Sequence, residues 1–418
     1  MAWPFKSKLR AGGHRVPSGG RHARSLIWGR PSDALRGHNR RRVIRAIMVA
    51  PSTQVNLAKF TSLSQATVSG IVQELQRNGV VVVDGNDSER GKKISLTSVR
   101  GVAIGVEVSY DTITVAARRV DGPRVEVDRS SRGAEHGSQA WIRECVQLIK
   151  DVVRRTGLDE TDVVSIGLGI PAAVEPRTGT ISQVAWALDW EQGMDPAARL
   201  QEHFPDVPVI MDNEANLAAY GEYLYGAGRG TETMLFVKSS TSVSAGLIIS
   251  GLIYRGRHGL ASEIGHLVMD PQGVVCQCGN RGCLETVVGG ARLVEQVRRA
   301  YIGYRVDLPT SLANVVERAK SGDLLCRRVL QDAGRGIGVA LARTCNLLNP
   351  EKVFIGGELG RAADLLIEPA VQTMRLHSLG GMFNYVAPMS VEASELGLQA
   401  GAQGALAFAL NVDHVQPS

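Results

Sequence analysis

GHLVMDPQGVVCQCGNRGCLE, residues 265–285, packs three of the chain's six cysteines, Cys276, Cys278 and Cys283, into eight positions, with His266 ten residues before the first of them. One imidazole nitrogen and three thiolates make a closed tetrahedral donor set for zinc, with no position left open for chemistry, so the pattern predicts a structural ion. Such short intervals need a backbone that folds back on itself, and Gly279 and Gly282 give it that freedom. A redox site and plain buried thiols are the alternatives. Cys145, Cys326 and Cys345 are scattered and read as core residues.

Clustered thiols that serve as ligands fit a reducing compartment. The 418 residues are 44% hydrophobic and 21% charged, an ordinary globular composition with length for two or three domains. No apolar run approaches the roughly 18 residues of a membrane helix, since VVVV at 80–83 is strand-sized and AGLIISGLIY at 245–254 is broken by glycine. The basic start lacks the apolar block of a signal peptide. The expected location is the cytoplasm, with no membrane partner.

The net charge of +6 is unevenly spread: residues 1–45 carry twelve Lys or Arg against one acid, Asp33. A positive field confined to one end predicts an anionic polymer as the partner of that end. Residues 1–36, rich in Gly, Arg, Ser and Pro, read as a disordered basic arm, either a solvated tail or a DNA-contacting one. From His38, RRRVIRAIMVA, TQVNLAKFT and SQATVSGIVQELQRNG read as three short helices. The last sets Val68, Ile71, Val72 and Leu75 on one face, with Ser64 as its N-cap. The TSLS turn suits a helix-turn-helix, and VVVVDGNDSERGKKISLT gives two strands around a basic loop, a wing. Gln65, Ala66, Thr67, Ser69 and Gln73 on the third helix are candidates for base edges in a major groove, and Arg90, Lys92 and Lys93 for phosphates. Protein contact is the alternative use of such a helical unit.

From Gly101 the pattern becomes α/β. GVAIGVEVSYDTITVAARRVDG and ETMLFVKSSTSVSAGLIISGLIYRG each read as two strands around a short polar turn, a weak internal repeat that predicts two similar lobes with a ligand cleft between them.

SEIGH at 262–266 followed by CQCGNRGCLE at 276–285 resembles the ROK family of repressors and sugar kinases, and the resemblance spans roughly residues 38–410. It implies an N-terminal winged helix-turn-helix over 37–98, then a two-lobed actin-like, duplicated ribonuclease H-like α/β domain over 99–418. That domain would be split near 215–230, have a C-terminal helix returning to the first lobe, and use structural zinc to order a sugar site. It implies Asn213, Glu263, His266 and Glu285 as sugar-binding residues, and His266, Cys276, Cys278 and Cys283 as zinc ligands. Carboxylates and amides suit vicinal hydroxyls, and His266 can give one ring nitrogen to the metal and the other to the ligand. The alternative for Glu263 and Glu285 is that they only orient the metal ligands.

The family's kinase provisions depart from the pattern. Where kinases resemble DxGGTK, this chain reads GVEVSYDT at 105–112, with Glu107 for the aspartate; the second phosphate turn reads STSVSAG at 240–246, with Ser240, Ser242 and Ser244 for glycines. The catalytic aspartate is replaced by Glu214 in NEAN, a form resembling the xylose-repressor branch. IGGE at 355–358 still resembles the adenosine-side turn, and a sugar-binding asparagine aligns with Ala187. No catalytic residue is therefore expected. These readings imply a transcriptional regulator, a repressor of carbohydrate-utilisation genes acting on double-stranded operator DNA as a homodimer or homotetramer and released by a sugar. The alternatives are an ATP-dependent sugar kinase and a constitutive DNA-binding protein.

Overall fold

The computed structural model describes residues 39–410 except 41, 45, 48–50, 62, 79, 85–91, 98–100, 183–189, 191–192, 304, 306, 381–382 and 384–387. Arg90, Ala187 and the basic arm lie outside the described residues.

The N-terminal unit has helical residues at 39–40, 42–44 and 46–47, then α1 (Gln54–Thr61) and α2 (Gln65–Arg77). A hairpin of β1 (Val81–Asp84) and β2 (Lys93–Leu96) follows, with Val81 opposite Leu96 and Asp84 opposite Lys93. Helix α2 starts where Ser64 Oγ accepts the Thr67 N–H at 3.1 Å, which satisfies one of the donors a helix start leaves open. Its apolar stripe, Val68, Ile71, Val72 and Leu75, is buried against Val43, Ile44, Ile47 and Leu57. This core does not end at the unit's edge. It runs on through Val80 and Ile94 to Ala103, Ala116, Val120, Leu406 and Leu410 of the following body.

The body repeats one topology. Strands β3 (Val102–Val108), β4 (Ile113–Arg119), β5 (Val125–Ser130), β6 (Val163–Ile170) and β7 (Val209–Asn213) form a sheet in the order β5-β4-β3-β6-β7. Strands β8 (Thr233–Ser239), β9 (Val243–Ile249), β10 (Leu252–Ile253), β11 (Lys352–Gly356) and β12 (Ser390–Ala393) form a second in the order β10-β9-β8-β11-β12. In each sheet the first three strands are antiparallel neighbours and the last two add in parallel. The two hairpin segments legible as a repeat are thus the opening strands of two sheets wired alike. β3 and β6 are buried along their whole length, as apolar runs at a sheet centre must be.

Helix α3 (Ser138–Arg155) crosses between β5 and β6, burying Trp141, Ile142, Cys145, Leu148, Ile149, Val152 and Val153 at helical spacing against β4 and β5. Helices α5 (Leu324–Leu348) and α6 (Ala363–His377) pack on each other, and residues of both join β8, β9 and β11 in one apolar core. Between the lobes run α4 (Glu214–Tyr225), packed on β8 and β9, and α7 (Ala400–Leu410), packed on β3 and β6. These two helices cross so closely that a Cβ on Gly404 would lie 1.7 Å from the Leu217 carbonyl oxygen. No side chain larger than hydrogen fits there. Among the described residues no helix is long and apolar enough to cross a membrane.

Candidate ligand cleft and metal centre

The cysteine loop is a folded-back ribbon pinned by backbone pairs, with Met269 N–H donating to Gly282 O at 2.7 Å, Gly282 N–H to Val274 O at 2.8 Å and Cys276 N–H to Asn280 O at 2.8 Å. Gly279 and Gly282 both have positive φ, 88° and 60°. At Gly282 a Cβ would also meet Asp270 O at 1.8 Å, so this turn requires glycine. The fold brings Nδ1 or Nε2 of His266 and Sγ of Cys276, Cys278 and Cys283 within 4.8 Å of one another. Cys276 Sγ lies 3.7 Å from His266 Nδ1 and Cys278 Sγ 3.6 Å from Cys283 Sγ. Thiolates bound to a tetrahedral zinc at about 2.3 Å stand roughly 3.8 Å apart, which these two separations match, so the donor set could hold a metal ion. Cys145, Cys326 and Cys345 are fully buried.

That loop is one wall of a 720 Å³ cleft lined by Asn213, Glu263, His266 and Glu285 together with Tyr110, Ala172 and Arg292. The volume lies in the range typical of small-molecule sites. The four expected ligand residues converge although they come from three separate segments. His266 turns Nδ1 to Cys276, while its Nε2 lies 4.0 Å from Glu263 Oε2. Glu285 Oε2 accepts the Val243 N–H at 3.1 Å, tying the cysteine loop to the start of β9. Asn213 has a structural duty as well: its Oδ1 caps α4 by accepting from Ala215 N at 2.9 Å, and its Nδ2 donates to Ala172 O at 3.1 Å. The carboxylates and the second amide hydrogen of Asn213 leave hydrogen-bonding capacity facing the cleft.

Thr241, Ser242, Ser244 and Glu214 also line this cleft, and beside it, where 105–112, Ser240 and 355–358 meet, lies a separate space of 20 Å³ lined by Glu107, Ser109, Lys238, Ser240 and Gly357 among others. That is room for about one water. Lys238 Nζ donates to Glu107 at 2.5 Å, to Ser109 Oγ at 2.8 Å and to Glu214. Ser109 Oγ in turn donates to Glu214 at 2.6 Å. All four are buried. Burial alone would lower the Lys238 pKa, but the two flanking carboxylates outweigh it and hold the ammonium above its usual range. Burial pushes the Glu214 carboxyl up, with the Glu107 charge adding to the rise and Lys238 and Ser109 opposing it. Glu107 and Glu214 stand out in the sequence as departures from a phosphate site. Lys238, which joins them, does not, although a lysine inside the apolar strand MLFVKS signals a buried partner.

On the N-terminal unit, Gln65, Ala66 and Gln73 are exposed on α2, Thr67 and Ser69 are half-buried beside them, and Lys92 and Lys93 are exposed at the start of β2.

The sequence pattern of the ROK family matches residues 103–412. The chain is 26% identical to the xylose repressor of Caldicellulosiruptor bescii, over 86% of this chain and 92% of that one. It is 32% identical to a glucokinase of Halalkalibacterium halodurans, over 66% of this chain and 86% of that one. Its fold is similar to a crystal structure of a ROK family transcriptional regulator described as a homologue of the E. coli MLC protein, with a TM-score of 0.70 at 23% identity, covering 92% of this chain and 98% of that one.

Proposed function

The chain belongs to the ROK family, and from that premise we propose that it is a DNA-binding transcriptional repressor of carbohydrate-utilisation genes that leaves its operator when a sugar enters the cleft. One observation carries the choice against a kinase. The two neighbouring spaces between the lobes differ in kind, one open at 720 Å³ and lined by hydrogen-bonding groups, the other reduced to 20 Å³ by the chain's own side chains. A phosphoryl transferase needs room for phosphates and a carboxylate free to take a proton. Here the carboxylate of Glu214 is engaged by Lys238 and Ser109, so we read the protein as a binder rather than an enzyme.

In this reading residues 1–36 are a basic arm, 37–98 a winged helix-turn-helix and 99–418 the sensor, whose lobes divide near 215–230. The outward face of α2, with Gln65, Ala66, Thr67, Ser69 and Gln73, would meet base edges, while Lys92, Lys93 and Arg90 would meet phosphates. The extent of the comparisons supports the assignment: the match to the xylose repressor covers more of the chain than 103–412 can supply, and the match to the glucokinase does not. The ion held by His266, Cys276, Cys278 and Cys283 would be zinc. Its role is to fix the cleft wall, so that Glu263, His266 and Glu285 meet sugar hydroxyls together with Asn213. The continuous core from Leu75 through Ile94 to Leu406 gives a sugar-driven shift of the lobes a packed route to the DNA-reading unit. A two-fold homodimer or a homotetramer would match a palindromic operator, in the cytoplasm and on the nucleoid.

The test is fluorescence anisotropy of the full-length protein on DNA flanking its own gene at fixed salt, with and without a panel of monosaccharides and sugar phosphates. Binding released by one sugar is the expected result. Equal sugar affinity of the free and DNA-bound forms would overturn the mechanism, because a ligand shifts an equilibrium only through differential affinity.

A further inference from the structure

Glu107 and Lys238 occupy corresponding places in the two halves of the fold. Each is the sixth residue of the seven-residue strand that opens its sheet. Each is flanked alike: Glu107 lies opposite Thr114 on the antiparallel side and Gly169 on the parallel side, and Lys238 lies opposite Ser244 and Gly356. The duplicated halves therefore meet at equivalent positions that carry opposite charges. Two identical repeats would bring like charges together here and be driven apart. Lys238 also reaches Glu214, the first residue of α4, which follows Asn213 of the cleft.

A second link lies beside this one. Within the second lobe Ser240 Oγ accepts the Glu358 N–H at 3.0 Å, and across the lobes the Glu358 carboxylate faces Arg129 of β5 at 3.9 Å. The turns that would wrap a nucleotide are thus joined by the chain's own groups. Buried ion pairs are poor sources of stability compared with well-packed apolar residues, but they fix which surfaces meet and in what register.

We propose that Lys238 is a positioning residue that does the work of a bound nucleotide: it bridges the lobes through Glu107 and Glu214, and so sets Asn213 for the effector without any nucleotide present. The ligand half of this statement rests on the sensor reading above; the bridging half does not.

The experiment compares zinc-loaded, full-length wild type with Lys238→Met and with Lys238→Arg, which keeps the positive charge between Glu107 and Glu214, by hydrogen exchange without sugar. The bridge predicts that Lys238→Met speeds exchange at least about tenfold in 105–112, 214–217 and 237–246 while α1 and α2 are unchanged, and that Lys238→Arg keeps these segments closer to wild type. Unchanged exchange in Lys238→Met overturns the bridge. If that variant does not fold, Lys238→Arg decides: a folded Lys238→Arg with exchange near wild type supports the bridge, and one that folds no better overturns it. In a second arm, magnesium ATP leaves wild-type melting and sugar affinity unchanged; an increase in either on adding ATP overturns the replacement of nucleotide by Lys238. Absence of any sugar binding defeats the sensor reading and the positioning of Asn213, while the exchange result still decides the bridge.

Discussion

Asn213 and Glu214 are adjacent in sequence and both line the 720 Å³ cleft, yet they are committed differently. Asn213 keeps an amide hydrogen for the cleft, whereas the Glu214 carboxylate is clamped by Lys238 and Ser109, which line the neighbouring 20 Å³ space. The open end is walled by a loop that small intervals and glycines hold in shape, with its polar side chains left facing the space. The closed end is filled by side chains that satisfy one another. One duplicated fold can thus keep a binding surface and lose a reaction site within a single residue step, because binding needs a shaped wall and transfer also needs room for phosphates.

The largest effect comes from breaking the wall of the open end. Cys278→Ser removes one of four ligands, and structural zinc sites contribute on the order of 10 kcal/mol to the order of their loops. Metal analysis should fall from about one zinc per chain toward none. Sugar binding should be lost, and the melting of 237–290 should separate from that of the N-terminal unit. Wild-type protein purified without metal, yet binding sugar normally, would falsify the zinc assignment.

Glu285→Gln comes next. The amide keeps the size of the side chain and an acceptor for Val243 N–H, but it removes the charge that strengthens a hydrogen bond to a hydroxyl. Calorimetry should show sugar affinity lower by about tenfold to a hundredfold, the range for hydrogen bonds to charged groups. Operator affinity without sugar should be unchanged. A matching loss in zinc content would instead make Glu285 an orienter of the metal ligands. Gln65→Ala supplies the control from outside the cleft, costing about 1–3 kcal/mol at one operator position with sugar affinity untouched.

The open end was far more legible in the sequence than the closed one. His266, Cys276, Cys278, Cys283 and Glu285 lie within twenty residues, and local spacing with Gly279 and Gly282 dictates how they converge. The paired hairpins, and with them two similar lobes, could be read from pairs of apolar strand-length runs around short polar turns. Lys238 was not legible, because its partners stand 131 and 24 residues away and only the pairing of the two sheets brings them together. For the same reason the apolar stripe of α2 gave no hint that its core continues into Ala116 and Leu406. The stripe shows that a face is buried, not which distant element shares it.

The smallest expected effect bears most directly on why the closed end is closed. Two explanations compete, one from the sequence and one from the structure: Ser240, Ser242 and Ser244 replace glycines of the phosphate turn, or the Glu107–Lys238–Glu214 group fills the space. They separate in the triple variant Ser240→Gly, Ser242→Gly, Ser244→Gly. If the charged group is the cause, restoring the glycines leaves ATP binding undetectable by calorimetry and ADP release at background in a coupled assay with a sugar panel. The cost should be confined to stability. Ser240 Oγ loses its bond from Glu358 N–H, and three added glycines raise the entropy of the unfolded chain. Each change is of order 1 kcal/mol. If ATP binds the triple variant, the serines close the site, and the lysine bridge merely occupies what they left.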